Sequence, residues 1–391
     1  MRLNYKSLGN YIKEINVRNS DLSITNLLGV SMEKTFIPSV ANLNGVDLSV
    51  YKVLNKDQLA CKLMSVGRDE KLPVDLYRDE NPAIVSSAYY VFEPKDKKEL
   101  LPEYLMMWLC RPENDRFIGF ISGGDVRGGI SWDTFCSLPI RVPKINKQRE
   151  IVKEYNVIQN RIALNQHLIQ KLEETAQAIY REWFVEFEFP NENGKPYRSN
   201  GGEMVWFEEL SKEIPKGWEM KPIFKVGEIK AGGDKPNIFS ETKTSKCPIP
   251  IYSNGITNDG LYGYTNKSNY PKNSITISAR GTIGFCVLRR EDFDAIVRLL
   301  VLIPNYPTSA IYLWQTIKKI EFDNSGSVQN QLTIPQIGVV QILFPKIDIL
   351  DKYDSIVSLI YQNVDLINKE NEKLTELKAL LLSKLATVDI S

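Results

Sequence analysis

A stretch of roughly 63 residues beginning at Ser122 recurs without a gap 202 positions further on, so the chain is built as two related halves. Gly124, Val126, Ile140, Pro143, Lys144, Ile145, Ile158, Leu164, Leu172 and Glu174 return as Gly326, Val328, Ile342, Pro345, Lys346, Ile347, Ile360, Leu366, Leu374 and Glu376. Identity is modest, but the register never slips. A duplicated unit predicts a duplicated shape, suited to a partner or ligand that also has two halves.

The long segments inside the repeat constrain the fold most. Positions 151, 155, 158, 162, 165, 169, 172, 176, 179 and 183 advance in steps of four and three and read Ile, Tyr, Ile, Ile, Asn, Ile, Leu, Ala, Ile and Trp. The second copy carries Tyr353, Val357, Ile360, Val364, Ile367, Asn371, Leu374, Lys378, Leu381 and Leu385 in the same phase. A repeat averaging 3.5 is a coiled-coil seam. Pro143 and Pro345 precede Asn146 and Asp348, which reads as a pair of N-caps at equivalent positions. If a two-fold axis relates the copies, the helices run antiparallel. Centring the seams pairs residues whose numbers sum to 536, so Asn165 meets Asn371, Ile169 meets Ile367 and Trp183 meets Tyr353. An amide pair within an apolar seam penalises slipped registers, which makes Asn165 and Asn371 the expected register residues.

At 391 residues the chain exceeds one typical domain, and removing two long helices leaves two portions each able to bury a core. The expected division is 1–146, a first globular domain; 147–186, a central helix; 187–347, a linker and second globular domain; and 348–391, a C-terminal helix. The polar segment 191–202 reads as the linker. The fold class is α+β, with two tandem domains separated by an antiparallel helix pair in a pseudo-two-fold arrangement. Helices of about 33 residues are about 50 Å long, enough to hold two domains well apart.

No apolar run approaches membrane-spanning length, and no basic segment followed by an apolar one opens the chain, so a cytoplasmic protein without membrane association is expected. Five scattered cysteines without C-x-x-C spacing point to reduced thiols. The net charge of +1 means that any phosphate contact comes from local clusters.

Catalytic devices are sparse. The single histidine, His167, falls on the outer face of the first long helix, which leaves no Ser-His-Asp or Cys-His arrangement and no histidine metal cluster. No G-x-x-x-x-G-K-[ST] run is present. Gly281 to Gly284 reads as a turn, and Glu186 and Glu188, alternating with Phe187 and Phe189, as a strand with one wet face. No metal or cofactor of its own is expected.

What remains suits recognition. Polar loops carry Arg68, Arg127, Lys267 and Arg280, and the run Gln329-Asn330-Gln331 follows Gly326. Arginine grips guanine, and asparagine or glutamine grips adenine, through paired hydrogen bonds, while glycine lets the backbone approach closely. The repeat sets Arg127 against Gln329, different readers at one position. Arg68, Arg127, Lys267, Arg280, Gln329 and Asn330 are therefore the expected DNA contacts.

The chain resembles the specificity subunits of Type I restriction-modification systems. The resemblance is carried by Ile214-Pro215-Lys216-Gly217-Trp218-Glu219, by Ser278 to Gly284, by the Val-Pro-Lys-Ile and Phe-Pro-Lys-Ile helix entries, and by Arg181 to Phe187. It implies a non-catalytic subunit whose two target-recognition domains bind the halves of an asymmetric, interrupted site on double-stranded DNA. It also implies that the helix pair docks two modification subunits, which carry S-adenosylmethionine and methylate adenine, and that restriction subunits join them. The first helix entry, Asn146 to Glu150, has the family's glutamine; the second, Asp348 to Lys352, lacks it, which counts against equal docking of the two modification subunits. A coiled-coil adaptor with protein-binding globular domains is the alternative, and a chain with its own nuclease or methyltransferase activity a further one.

Overall fold

The computed structural model describes residues 5–39, 45–64, 66, 70–122, 128–322 and 331–385. It divides into two compact units, one comprising residues 1–166 with 368–391 and the other 167–367. Each long helix thus contributes to both units.

In the first unit, β1 (Ile12–Ile15), β2 (Leu59–Cys61), β3 (Val74–Leu76) and β4 (Tyr90–Pro94) form an antiparallel sheet in the order β1-β4-β2-β3. Helices α1 (Pro102–Leu109), α2 (Pro112–Ile121) and α3 (Trp132–Cys136) follow. Leu59, Cys61, Val74, Leu76 and Phe92 of the sheet are buried with Tyr104 to Leu109 of α1. Full burial of each such apolar side chain contributes about 1.5–3 kcal/mol. Ile151 and Val152 of helix α4 (Ile145–Phe184) join the same core from one side of the sequence, and Leu382 and Leu385 from the other.

The second unit repeats this plan. Strands β5 (Gly227–Ala231), β6 (Ser274–Ile277), β7 (Cys286–Arg289) and β8 (Leu300–Pro304) pair antiparallel in the order β5-β8-β6-β7. In both sheets the first strand pairs with the fourth, which pairs with the second, so the duplication reaches well upstream of the matched sequence. Short α5 (Ile223–Val226) precedes the sheet; α6 (Ala310–Ile317) and α7 (Ile334–Gly338) correspond to α1 and α3, and α8 (Ile347–Lys384) closes the plan. Val301 is buried with Phe293 beneath Tyr252, while Ile275, Ile277, Leu300 and Leu302 pack with α6.

The helices pair antiparallel within each unit. In the first, Lys378 Nζ donates to Gln159 Oε1 at 3.4 Å and Asn165 Nδ2 to Asn371 Oδ1 at 2.9 Å, so numbers fall on one helix as they rise on the other. In the second, Trp183 meets Tyr353 with ring centroids 5.7 Å apart, and Ala176, Tyr180, Val357 and Tyr361 share their core. Every seam position of α4 and α8 is buried or half-buried, whereas His167 is exposed. Helix lengths are 40 and 38 residues.

Two local expectations need correction. The helices start two residues earlier than caps at Asn146 and Asp348 would set them: the Lys144 and Lys346 carbonyls accept the first bonds from Lys147 and Ile349, so Asn146 and Asp348 lie inside the first turn. Residues 187–189 form no strand; Phe187 has φ 62, and the aromatic rings are buried while the backbone runs irregularly. Within 191–202 most residues are exposed, and Tyr197 stacks on Phe189 with ring centroids 4.5 Å apart.

The glutamine difference also takes on another meaning. Gln148 is fully buried; it accepts from Leu101 N at 2.9 Å and donates to Glu99 O and Pro143 O at 2.7 and 2.8 Å. Its counterpart Leu350 is equally buried in the apolar core of the second unit. Both residues anchor α4 or α8 to its own unit, one by hydrogen bonds and the other by packing. A side chain enclosed in this way offers nothing to a docked subunit, so its absence from the second entry is no argument about docking.

Candidate nucleic-acid interface

Of the residues expected to contact DNA, Arg68, Arg127, Gln329 and Asn330 lie outside the described residues. Lys267 and Arg280 are both exposed in the second unit. Arg280 follows β6, whose alternating side chains end at Ile277 and hand the chain to the loop Ser278 to Gly284. Ser278 N donates to Phe285 O at 2.8 Å, Gly284 N to Ser278 O at 3.0 Å, and Phe285 N to Thr282 O at 3.2 Å, closing a tight turn. Gly281 and Gly284 have φ 71 and 82, and a Cβ on Gly284 would come within 2.7 Å of the Phe322 ring, so the turn needs glycine there.

Arg280 projects from this rigid turn. Its Nη2 donates to Gln331 Oε1 at 2.8 Å, a neutral partner that orients the guanidinium while leaving its charge uncompensated. The remaining N–H groups form the planar fork that suits a guanine edge or a phosphate. Leu332 N donates to Ala279 O at 2.9 Å, which fixes the strand-to-loop junction beside Arg280.

A second, buried arginine supports the neighbouring loop. Arg289 Nε donates to Thr276 Oγ1 at 2.9 Å and Nη2 to Asp259 O at 2.6 Å, while its guanidinium carbon lies 3.5 Å from the Tyr252 ring centroid. Burial pulls its pKa down to about 10, still well above neutrality, so the cation persists in the core. It is held there by the ring face, the hydroxyl and the carbonyl, and it suspends a loop in which Asn258 and Asp259 are both left-handed.

The first unit has a matching junction. Ile130 N donates to Leu63 O at 3.1 Å, as Leu332 N does to Ala279 O, and Ile130 and Leu332 stand 202 positions apart. By this pairing Met64, which is 60% exposed, takes the place of Arg280, and Gly129 that of Gln331. Equivalent positions therefore present an apolar side chain in one unit and a guanidinium–amide pair in the other.

On the helices, Asn165 and Asn371 come together as described, and Asn165 Nδ2 also reaches Glu370 Oε2 at 3.1 Å. Arg161 makes a forked pair with the same carboxylate, Nε to Oε1 at 2.9 Å and Nη2 to Oε2 at 3.0 Å. Hydrogen bonds from Arg161 and then Asn165 hold the Glu370 carboxyl below the usual glutamate range. Among the described residues no cluster of histidine, cysteine, aspartate or glutamate is arranged to hold a metal, and no helix is long and apolar enough to cross a membrane.

Residue-by-residue reading missed Asn254, Arg289 and Arg298, all in loops or junctions of the second unit. Asn254-Gly255 carries a turn signal, but nothing local marks the other two.

Two units of one α+β topology, each offering the same strand-to-loop junction with different side chains, define a duplicated recognition protein. A family profile described as the Type I restriction modification DNA specificity domain matches residues 75–174 and 215–376, well over half of the chain, and the chain belongs to that family. It is 23% identical over 419 residues to the Type I restriction enzyme HindI specificity subunit of Haemophilus influenzae, covering 90% of each protein. It is 24% identical over 328 residues to the MjaIX specificity subunit of Methanocaldococcus jannaschii, covering 78% of this chain and 72% of the relative. The crystal structure of a Type I restriction-modification S subunit from M. genitalium shares the fold, with a TM-score of 0.62 at 17% identity over 98% of this chain and 96% of that one.

Proposed function

We propose that the chain is the DNA sequence-recognition subunit of a Type I restriction-modification complex, and that each unit reads one half of an asymmetric, interrupted site. The observation that carries this reading is the difference at matched junctions: Met64 and Gly129 in the first unit, Arg280 and Gln331 in the second. One scaffold with unlike readers is suited to two unlike half-sites. The subunit makes no bonds itself; adenine methylation belongs to two modification subunits carrying S-adenosylmethionine, and cleavage to restriction subunits.

The helix pair is the docking element for the modification subunits. In the first unit Val157, Leu164, Leu377 and Leu380 are 62, 58, 50 and 59% exposed; in the second, Leu168, Ile356, Leu359 and Leu366 are 45, 43, 57 and 63% exposed. Their heptad phases place each set beside the seam on one flank, an apolar stripe of the kind that a partner helix covers. Val157 and Leu164 are the 202-residue counterparts of Leu359 and Leu366, so the two stripes are related.

Sequencing of methylated adenines in cells carrying this chain with its partner subunits tests the reading. The expected outcome is one bipartite motif with unlike halves that disappears when the chain is deleted. Methylation unchanged by deletion would overturn the reading. A coiled-coil adaptor with protein-binding domains would also leave random duplex libraries unenriched.

A further inference from the structure

Asn254 lies in the loop after the strand Ile249–Tyr252, and both ends of its amide are engaged. Oδ1 accepts from Ala279 N at 2.7 Å, and Nδ2 donates to Val297 O at 2.7 Å. Each of these backbone groups immediately precedes an exposed arginine, Arg280 in one loop and Arg298 in the other. A single short side chain therefore ties together the backbones that carry two cations.

The Arg298 loop is held in a costly shape. Val297 and Arg298 have φ 54 and 60, two successive left-handed residues, the first of them β-branched. Val297 is 50% exposed, so burial of its side chain does not account for the conformation. Backbone bonds do: Val297 N donates to Gly233 O at 3.0 Å, Arg298 N to Gly232 O at 3.2 Å, and Gly232 N to Leu299 O at 2.7 Å. A Cβ on Gly232 would approach the Ala295 carbonyl carbon to 2.7 Å, so these strands meet at glycine distance. Strain of this kind persists where surrounding structure over-determines it, and it concentrates at binding sites. Its product here is an exposed guanidinium.

We propose that Arg298 is a second DNA-contacting side chain of the second unit, acting with Arg280 on the same half-site, and that Asn254 is the positioning residue that sets the two arginines relative to each other. The inference rests on the DNA-recognition reading above and adds a second cation and its support to it. Two arginines carried on loops clamped to one side chain keep their backbones at a fixed separation, whereas loops free to move independently would lose it.

The full chain is presented with a library of random-sequence duplex DNA, and the enriched motif is read for the wild type and for Arg280→Ala, Arg298→Ala, Asn254→Ala and Asn254→Asp. Arg298→Ala should lower affinity for the wild-type site by ~10-fold or more and relax the same half-site as Arg280→Ala, leaving the other half unchanged. Asn254→Asp keeps the bond to Ala279 N and loses the donor to Val297 O. In that background Arg298→Ala should add little further loss, while Arg280→Ala should still add its own. General unfolding would lower binding to both halves together, so retained preference in the unaffected half separates positioning from collapse. If Asn254→Ala does not fold, the surface change Arg298→Ala and its combination with Asn254→Asp still decide the matter. A wild-type chain that enriches no motif would remove the DNA reading and this inference together. A wild-type motif unchanged by Arg298→Ala, or full additivity of Asn254→Asp with Arg298→Ala, would overturn the inference and leave the DNA reading standing.

Discussion

Asn165 Nδ2 donates to Asn371 Oδ1 across 2.9 Å where α4 and α8 cross the first unit, and Asn165 is 1% exposed. The pair is extended by Glu370, which accepts from the same Asn165 amide and from Arg161. An amide in an apolar seam costs stability unless its partner is in register, so the contact favours one alignment of the helices over its neighbours.

Asn165→Leu alone should lower the melting temperature, because Asn371 and Glu370 lose their donor, a cost of about 1–3 kcal/mol. The double change Asn165→Leu with Asn371→Leu should melt above the single variant and above the wild type while loosening the register. Thermal melts give the first comparison, and cross-linking of cysteines placed along the seam gives the second. A double variant less stable than either single would contradict the register role.

Glu370 supplies a pH test. Its carboxyl is held below the usual glutamate range, chiefly by Arg161 and then Asn165, so it binds protons less readily folded than unfolded. Its contribution is therefore present above the unfolded glutamate pKa, near 4.3, and is lost as pH falls through the lower folded value. The wild type should melt above Glu370→Gln at pH 7, and the difference should close as the pH is taken below about 4. A gap that persists undiminished at pH 3 would rule this linkage out.

Gln148→Ala should destabilise the first unit by about 1–3 kcal/mol, because Leu101 N and the carbonyls of Glu99 and Pro143 lose a buried partner. Gln148→Leu, although it copies Leu350, should lose the same bonds. Hydrogen exchange would show the loss at the start of α4, and the sequence choice of the second unit should not move.

Arg280→Ala should weaken binding by about 1–3 kcal/mol and relax one half-site only, if its fork grips a guanine. Arg127→Ala, in the other unit, should relax the opposite half. Selection from a random duplex library with each variant reads both effects, and an equal loss on every sequence would assign these residues to phosphate.

Much of the architecture was legible along the chain because it is written in local periodicities. The 4-3 steps from Ile151 to Trp183 set the buried stripe of α4, their echo in α8 set its partner, and a two-fold axis between the copies required antiparallel pairing. The alternation of Phe187 and Phe189 with glutamates marked burial but not backbone, since an irregular segment can bury the same rings as a strand. Gln148 was visible as a difference between two helix entries, yet its meaning depended on Glu99 and Leu101, which lie 49 and 47 positions away in the chain.

The sequence by itself determined the duplication, through matches that keep one offset of 202 positions, and the two long helices, through spacing within a few dozen neighbouring residues; their register followed once a two-fold axis between the copies was assumed. Only the tertiary structure decided the sheet order β1-β4-β2-β3 with its repeat in β5 to β8, the buried seat of Arg289, and the clamp that Asn254 forms with residues 25 and 43 positions away. The physical reason is that strand pairing and side-chain-to-backbone hydrogen bonds join groups distant in sequence. A backbone N–H or C=O carries no residue-specific mark, so nothing written along the chain names the partner it will find.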